Sequence, residues 1–363
     1  MQKNKMVVVK VGTKVITSRD RALDKTRVED IAAQVSDIRD KGIDVILVTS
    51  GAIGAGMWLL GLKKRPVKLS ELQATASIGQ NYLMQLYSEC FKKRGYIAGQ
   101  ILLTQEDFND RARYLNIKHT VDALLKHKAI PIVNENDTVA TEEIKCGDND
   151  RLSSLVADLC QAEKLIILTD VDGLLDENGS VISSILEVNQ KILKLGGKSH
   201  CDLGTGGMAT KIDAARAVTK AGIDCVIANG RAKNVLYRIA VENERVGTAF
   251  GSLKQKFVAR KRWIAYSSRP KGSIRVDDGA RGALCDKDKS LLASGVVDVG
   301  GAFVLGDVIS ISDKDGREFA RGIANYSSGD LSKIKGLKTA NFKSVLGYKG
   351  PDEVVHKDNL VIL

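Results

Sequence analysis

Ala129-Ile130-Pro131-Ile132-Val133-Asn134-Glu135-Asn136-Asp137 is the stretch on which the reading of this chain turns. Its first five residues form a short apolar run, the pattern of a strand buried on both faces. The composition then flips to amides and carboxylates, and Asp148-Asn149-Asp150 follows soon after. Such a cluster at the mouth of a strand suits a small zwitterionic ligand, because carboxylates hold an ammonium group while amides hold a carboxylate or order a cation. A solvated, Asx-rich turn has the same composition. The rest of the chain decides between the two.

The elements on either side repeat the pattern. Met6–Val11 is a β-branched run ending at Gly12, and Ile43–Thr49 is a strand leading into Ser50-Gly51-Ala52-Ile53-Gly54-Ala55-Gly56. Tyr96–Leu103, Ile130–Val133, Lys164–Thr169 and Asp224–Ala228 supply further strands. Helical patterns lie between them. Thr26 and Glu29 form a capping box ahead of the stripe Val28, Ile31, Ala32, Val35 and Ile38. Ser70–Gly95 reads as one long helix with Ser70 and Gln73 at its start, and Leu115–Lys126, Arg151–Cys160 and Met208–Ala221 follow. Apolar strands alternating with helices predict an α/β domain, a mostly parallel open sheet with helices on both faces. Ligands in such folds sit outside the carboxyl ends of the strands, where each glycine-rich or Asx-rich cluster falls.

Beyond Gly251 short β-like runs recur between Gly and Asp turns, at Ser273–Val276, Val296–Val299, Val308–Ile311 and Glu318–Ile323. They predict a small, mostly-β barrel or sandwich. The expected division is an α/β domain over 1–251, a basic connector over 252–271, the small domain over 272–350 and a C-terminal tail over 351–363. A chain of 363 residues suits two domains. Six scattered cysteines without a CxxC pair point to reduced thiols in a cytoplasmic protein, not to zinc or disulfides. With no secretory h-region and no run approaching about 18 apolar residues, no membrane association is expected. The net charge is +11, and 252–363 holds 20 of the 55 basic residues but only 13 of the 44 acidic ones. That surplus suits an anionic partner such as nucleic acid, or simply a soluble surface.

Three features suggest phosphate chemistry. Lys10 stands inside an apolar strand beside Gly12, where it is an edge residue or a point charge for a phosphate. Ser50-Gly51 allows backbone N–H groups to approach an anion, or only a close helix–sheet contact. Gly204-Thr205-Gly206-Gly207-Met208-Ala209-Thr210-Lys211 superficially fits the dinucleotide fingerprint, but no strand precedes it, and Ile212 after Lys211 excludes a Walker A loop. What remains is a glycine turn opening a helix, with a lysine beside it. Thr169-Asp170 closes a strand as a floor for a nucleotide or an anchor for a lysine. His119, His127, His200 and His356 fall outside these clusters, and no acid/base pair is evident. Phosphoryl transfer fits, because positioning and charge neutralisation do most of its catalysis. A carboxylate acceptor fits best, being ionised at pH 7 and needing no general base.

At these residues the chain resembles the amino acid kinase family, in its glutamate-phosphorylating branch. The matching motifs are VVVKVGT (Val7–Thr13), VTSGAIGAG (Val48–Gly56), LLT (Leu102–Thr104), PIVNENDTVAT (Pro131–Thr141), GDNDRLS (Gly147–Ser153), LTDVDGL (Leu168–Leu174) and GTGGMATK (Gly204–Lys211). The resemblance implies phosphorylation of the L-glutamate γ-carboxylate by ATP, the first step of proline biosynthesis. It implies that Lys10 and Lys211 neutralise the transferring group and that Asp150 orients them. Ser50, Gly51, Asp137 and Asn149 would hold glutamate, with Asn134 and Asp148 close by. Gly12, Thr169, Asp170 and the loop Thr205, Gly206, Gly207, Met208, Ala209, Thr210 and Lys211 would hold ATP, with Mg²⁺ bridging its phosphates. VDDGARGAL (Val276–Leu284), SLLASGVVDVGGAFVLGDVISI (Ser290–Ile311) and ARGIANYSS (Ala320–Ser328) resemble a PUA domain, which implies RNA as a candidate partner. A homo-oligomer is expected. Two departures are Cys146 in place of an apolar residue and a short Asp170–Gly204 region. The rival readings are a kinase of this fold with another acceptor (aspartate, acetylglutamate, carbamate or a nucleoside monophosphate) and an RNA-binding protein with an inert kinase-like domain.

Overall fold

The computed structural model describes residues 5–18, 22–139, 148–197, 207–251, 261, 263–267, 269–287 and 289–363. The chain forms two compact units, Met1–Lys256 and Phe257–Leu363.

The first unit begins with β1 (Met6–Val11), α1 (Thr13–Ile16), α2 (Lys25–Asp40), β2 (Asp44–Thr49), α3 (Ala52–Leu59) and α4 (Leu69–Lys92). Then come β3 (Ala98–Leu103), α5 (Arg111–Lys126), β4 (Ile130–Glu135), α6 (Asp148–Cys160) and β5 (Lys164–Thr169). It closes with β6 (Ser184–Ile185), α7 (Gln190–Leu195), α8 (Met208–Lys220), β7 (Asp224–Asn229), α9 (Val235–Ala240) and β8 (Thr248–Phe250). The sheet order is β3-β4-β2-β1-β5-β7-β8-β6. The strands from β3 to β7 run parallel, β8 turns back against β7, and β6 lies parallel to β8. From β1 the chain moves to β2 on one side, and from β4 it crosses to β5 on the other. The strand order therefore reverses beside β1, which opens a crevice outside the carboxyl ends of β1 and β5.

Strand periodicity explains how a lysine comes to lie in this core. Val7, Val9 and Val11 join the apolar cluster built with α2, α4 and α9. Val8 and Lys10 therefore face the other side of the sheet, where α6 packs on β1. Helices α3 and α4 touch backbone to backbone. A Cβ on Gly56 would sit 1.9 Å from the Thr75 carbonyl oxygen, and one on Gly79 would sit 1.8 Å from that of Ala52.

Some local expectations change. The first long helix is capped by Asp24, whose carboxylate accepts from the Arg27 N–H at 3.2 Å, and not by a Thr26–Glu29 box. Glu29 instead reaches Lys93 at 2.8 Å, tying α2 to the end of α4. Helix α4 starts at Leu69 behind Lys68, whose carbonyl receives the first turn, so Ser70 lies inside the helix. Strand β4 continues through Asn134 and Glu135, both buried and paired with Leu102 and Leu103 of β3. The polar cluster thus starts within the sheet.

The second unit holds β9 (Gly272–Val276), α10 (Asp278–Lys287), β10 (Val296–Gly301), β11 (Val308–Ser312) and β12 (Glu318–Ile323). These are followed by α11 (Ser328–Ile334), α12 (Phe342–Leu346) and β13 (Leu360–Ile362). Its sheet order is β10-β9-β11-β12-β13, with β9 and β11 parallel and the other pairs antiparallel. The segment 351–363 supplies Val354, Val355 and Leu360 to the core and β13 to the sheet. Trp263–Ser267 packs on β12 and β13, and the Arg321 guanidinium donates to the Ala265 carbonyl at 3.0 Å.

Candidate active site

Three groups of side chains gather at the carboxyl ends of the central strands. The first is built on β1, α6 and α8. Lys10 Nζ lies 2.7 Å from Asp150 Oδ1, and Lys211 Nζ lies 3.3 Å from Asp150 Oδ2. The Thr210 hydroxyl donates to Asp150 Oδ2 at 2.7 Å. Asp150 is fully buried, and Lys10 and Lys211 are 4% and 5% exposed. Burial alone would raise the Asp150 carboxyl, but the charges of Lys10 and Lys211, with hydrogen bonds from Lys10 and Thr210, outweigh it and hold the group below its ordinary value. Burial pushes the Lys211 ammonium down, and Asp150 opposes that shift. Two ammonium groups on one carboxylate leave a net positive charge in a place where an unpaired charge is costly. An arriving anion would neutralise it. Helix α8, opening at Gly207, adds N–H groups of the same polarity.

The second group is a network of amides. Asn149, next to Asp150 on the first turn of α6, donates to Ser50 Oγ at 3.1 Å and to Asn134 Oδ1 at 3.0 Å. Asn134 donates in turn to Gln80 Oε1 at 2.7 Å. Ser50 is set by the turn after β2, where Gly51 takes φ 107° as the cap of α3, a left-handed conformation that suits glycine. Asp137 lies half-buried in the turn after β4, and Asp148 opens α6. Because α6 carries Asn149 and Asp150 side by side, it joins the amide network to the charged triad.

The third group lies on the far side of Gly12. The Gly12 N–H donates to the Leu168 carbonyl at 3.1 Å, and a Cβ there would come within 3.0 Å of that oxygen. Lys14 Nζ sits 3.1 Å from Asp170 Oδ2, and the Thr169 hydroxyl donates to Asp170 Oδ1 at 3.2 Å. Burial would raise the Asp170 carboxyl, but hydrogen bonds from Lys14 and the backbone, with the Lys14 charge, hold it low.

The family model described as the amino acid kinase family matches residues 5–229, and that of the PUA domain matches residues 272–346. The chain belongs to the amino acid kinase family. Its relatives include a protein named Glutamate 5-kinase from Caldanaerobacter subterraneus subsp. tengcongensis, 48% identical over 363 residues, covering 98% of this chain and 97% of its own. Proteins of the same name from Moorella thermoacetica and Geobacter sulfurreducens are 46% and 43% identical. Those alignments cover 98% and 100% of this chain, and 96% and 99% of theirs.

Of the residues singled out in the sequence, Lys10, Asp150, Thr210 and Lys211 come together in the triad, and Ser50, Asn134 and Asn149 in the amide network. Thr169 and Asp170 stand in the third group, while Gly207, Met208 and Ala209 open α8. Thr205 and Gly206 lie outside the described residues, as do Cys146 and the stretch 252–260. Sequence reading missed Gln80 and Lys14. Gln80 sits 54 residues from Asn134 on a helix with no polar motif around it, and Lys14 was one basic residue among 55.

Proposed function

We propose that this chain is an ATP-dependent kinase that phosphorylates the side-chain carboxylate of L-glutamate, opening proline biosynthesis. The observation that carries this reading is the junction on α6. Asn149 serves an amide pocket suited to an amino acid, and the next residue along the turn, Asp150, serves two buried lysines suited to a phosphoryl group. Full-length similarity to proteins named Glutamate 5-kinase supports it.

In this account Ser50, Asn134 and Asn149 face the carboxylate end of glutamate, Asp137 pairs with its ammonium group, and Asp148 opens the helix close by. Gly12, Thr169, Asp170 and the start of α8 receive ATP, which brings Mg²⁺ on its phosphates. Among the described residues there is no group of three or more His, Cys, Asp or Glu placed to hold a metal ion. A γ-carboxylate oxygen attacks the γ-phosphorus as the bond to the β-phosphate oxygen breaks, and ADP leaves with the electron pair. No proton moves, so no base is required. Lys10 and Lys211 neutralise charge on the transferring group, and Asp150 positions both.

The test is an acceptor panel of L-glutamate, L-aspartate, N-acetylglutamate and a nucleoside monophosphate with Mg·ATP, following ADP release and hydroxylamine-trapped acyl phosphate. L-Glutamate should give both. Turnover with another acceptor and none with glutamate would overturn the assignment. For the second unit we infer RNA as a partner from its PUA match and basic surplus. Retention on RNA that weakens steeply with salt is the expected result.

A further inference from the structure

The amide network has a direction, and a backbone group fixes it. The Glu135 N–H donates to Asn134 Oδ1 at 2.9 Å and to Asn149 Oδ1 at 3.3 Å. A backbone N–H can only donate, so both side-chain oxygens must face it, and neither amide can be flipped without losing that bond. The two hydrogens on Asn149 Nδ2 are then directed to Asn134 Oδ1 and Ser50 Oγ. Asn134 Nδ2 must also donate, and the group that receives it is Gln80 Oε1, at 2.7 Å. Ser50 is thereby an acceptor within the network, and its own hydroxyl hydrogen remains for a group outside it.

Gln80 reaches this network from another element. It follows Gly79, the point at which α4 lies against the Ala52 carbonyl of α3. Ser50 stands just ahead of α3. One helix contact therefore places both ends of the network, Ser50 and Gln80.

We propose that Gln80 is a positioning residue for acceptor recognition. By accepting from Asn134 it completes a one-way relay that leaves the Ser50 hydroxyl hydrogen to donate outward, which suits a substrate carboxylate at that end of the pocket. This rests on the glutamate kinase reading above. Removing the acceptor leaves Asn134 Nδ2 without a partner, so the amide that receives Asn149 Nδ2 is held by the Glu135 N–H alone and Ser50 is positioned less firmly.

The experiment compares Gln80→Met and Gln80→Glu with the unaltered full chain, measuring kcat, both KM values and the melting temperature. Gln80→Met keeps the length and removes the acceptor, and the glutamate KM should rise about tenfold with the ATP KM little changed. Gln80→Glu restores an acceptor oxygen. Gln80 Nε2 makes no hydrogen bond among the described residues, so its replacement breaks none. Most of the lost glutamate affinity should return in that variant. An unchanged glutamate KM in Gln80→Met, or equal losses in both variants, would overturn the relay. Equal rises in both KM values would show a general structural role and would also overturn it. If Gln80→Met does not fold, Gln80→Leu takes its place under the same criteria. Absence of glutamate turnover in the unaltered chain would instead be a failure of the functional reading, distinct from any of these outcomes.

Discussion

Lys10, Asp150 and Lys211 form an unequal partnership, and its protonation shapes the expected pH dependence. Burial lowers the Lys211 pKa, with Asp150 opposing. Loss of that proton removes positive charge from the phosphate side. The kcat/KM for ATP, which reports the free enzyme, should therefore fall on the alkaline side at a pH below the ordinary lysine value of about 10.4. On the acid side the acceptor carboxylate titrates near 4 and the Asp150 carboxyl is held low, so no acid limb should be seen from neutral pH down to about 6. An acid limb with a midpoint between about pH 6 and 7, the mark of a general base, would contradict the mechanism. Asp137→Ala should raise the glutamate KM steeply, since an uncompensated charge pair is worth about 2–5 kcal/mol, while the ATP KM changes little. A rise in the ATP KM instead would move Asp137 to the nucleotide side. Lys10 was legible in the sequence because a lysine interrupts an apolar run, and Asp150 because it stands in a dense polar cluster. Gln80 was not, because its meaning depends on a partner brought beside it only by the packing of α4.

The contact between α3 and α4 is the element on which the amide network depends. A methyl group at Gly79 would lie 1.8 Å from the Ala52 carbonyl oxygen and 2.4 Å from the Gly56 nitrogen, both backbone atoms. Overpacking typically costs about 1–3 kcal/mol, and rigid backbone on both sides puts Gly79→Ala at the upper end or beyond. Denaturant unfolding should show a loss of about 3 kcal/mol, and stability equal to the parent would mean the helices are not in that contact. The strands of the central sheet were legible from apolar runs, with β1 and β5 found at their full lengths. Helix starts were less so. Asp24 is the N-cap of α2 although Thr26 and Glu29 have the capping spacing, and Glu29 is occupied by Lys93 on α4. The short strands β6, β8 and β13, of two or three residues each, carry too little periodicity to be read before their partners are known.

On the scale of the whole molecule, each described residue given a chemical role lies in the first unit, within β1 to α8. A chain ending at Lys256 should therefore bind both substrates and turn over, with activity measured per mole of folded protein. A folded fragment without glutamate-dependent turnover would show that the second unit completes the site. Composition could not show that 351–363 returns to the sheet as β13, because a pairing of three residues leaves no pattern in the sequence. The central claim is glutamate phosphorylation driven by two buried lysines, and its most direct measurement is formation of γ-glutamyl hydroxamate from ATP, glutamate and hydroxylamine by the full chain and by Lys10→Ala and Lys211→Ala. The account predicts product only when ATP and glutamate are both present, and a fall in kcat of about 10²–10³ in each variant with KM values little changed. No product from the unaltered chain, or near-normal turnover in either variant, would contradict it.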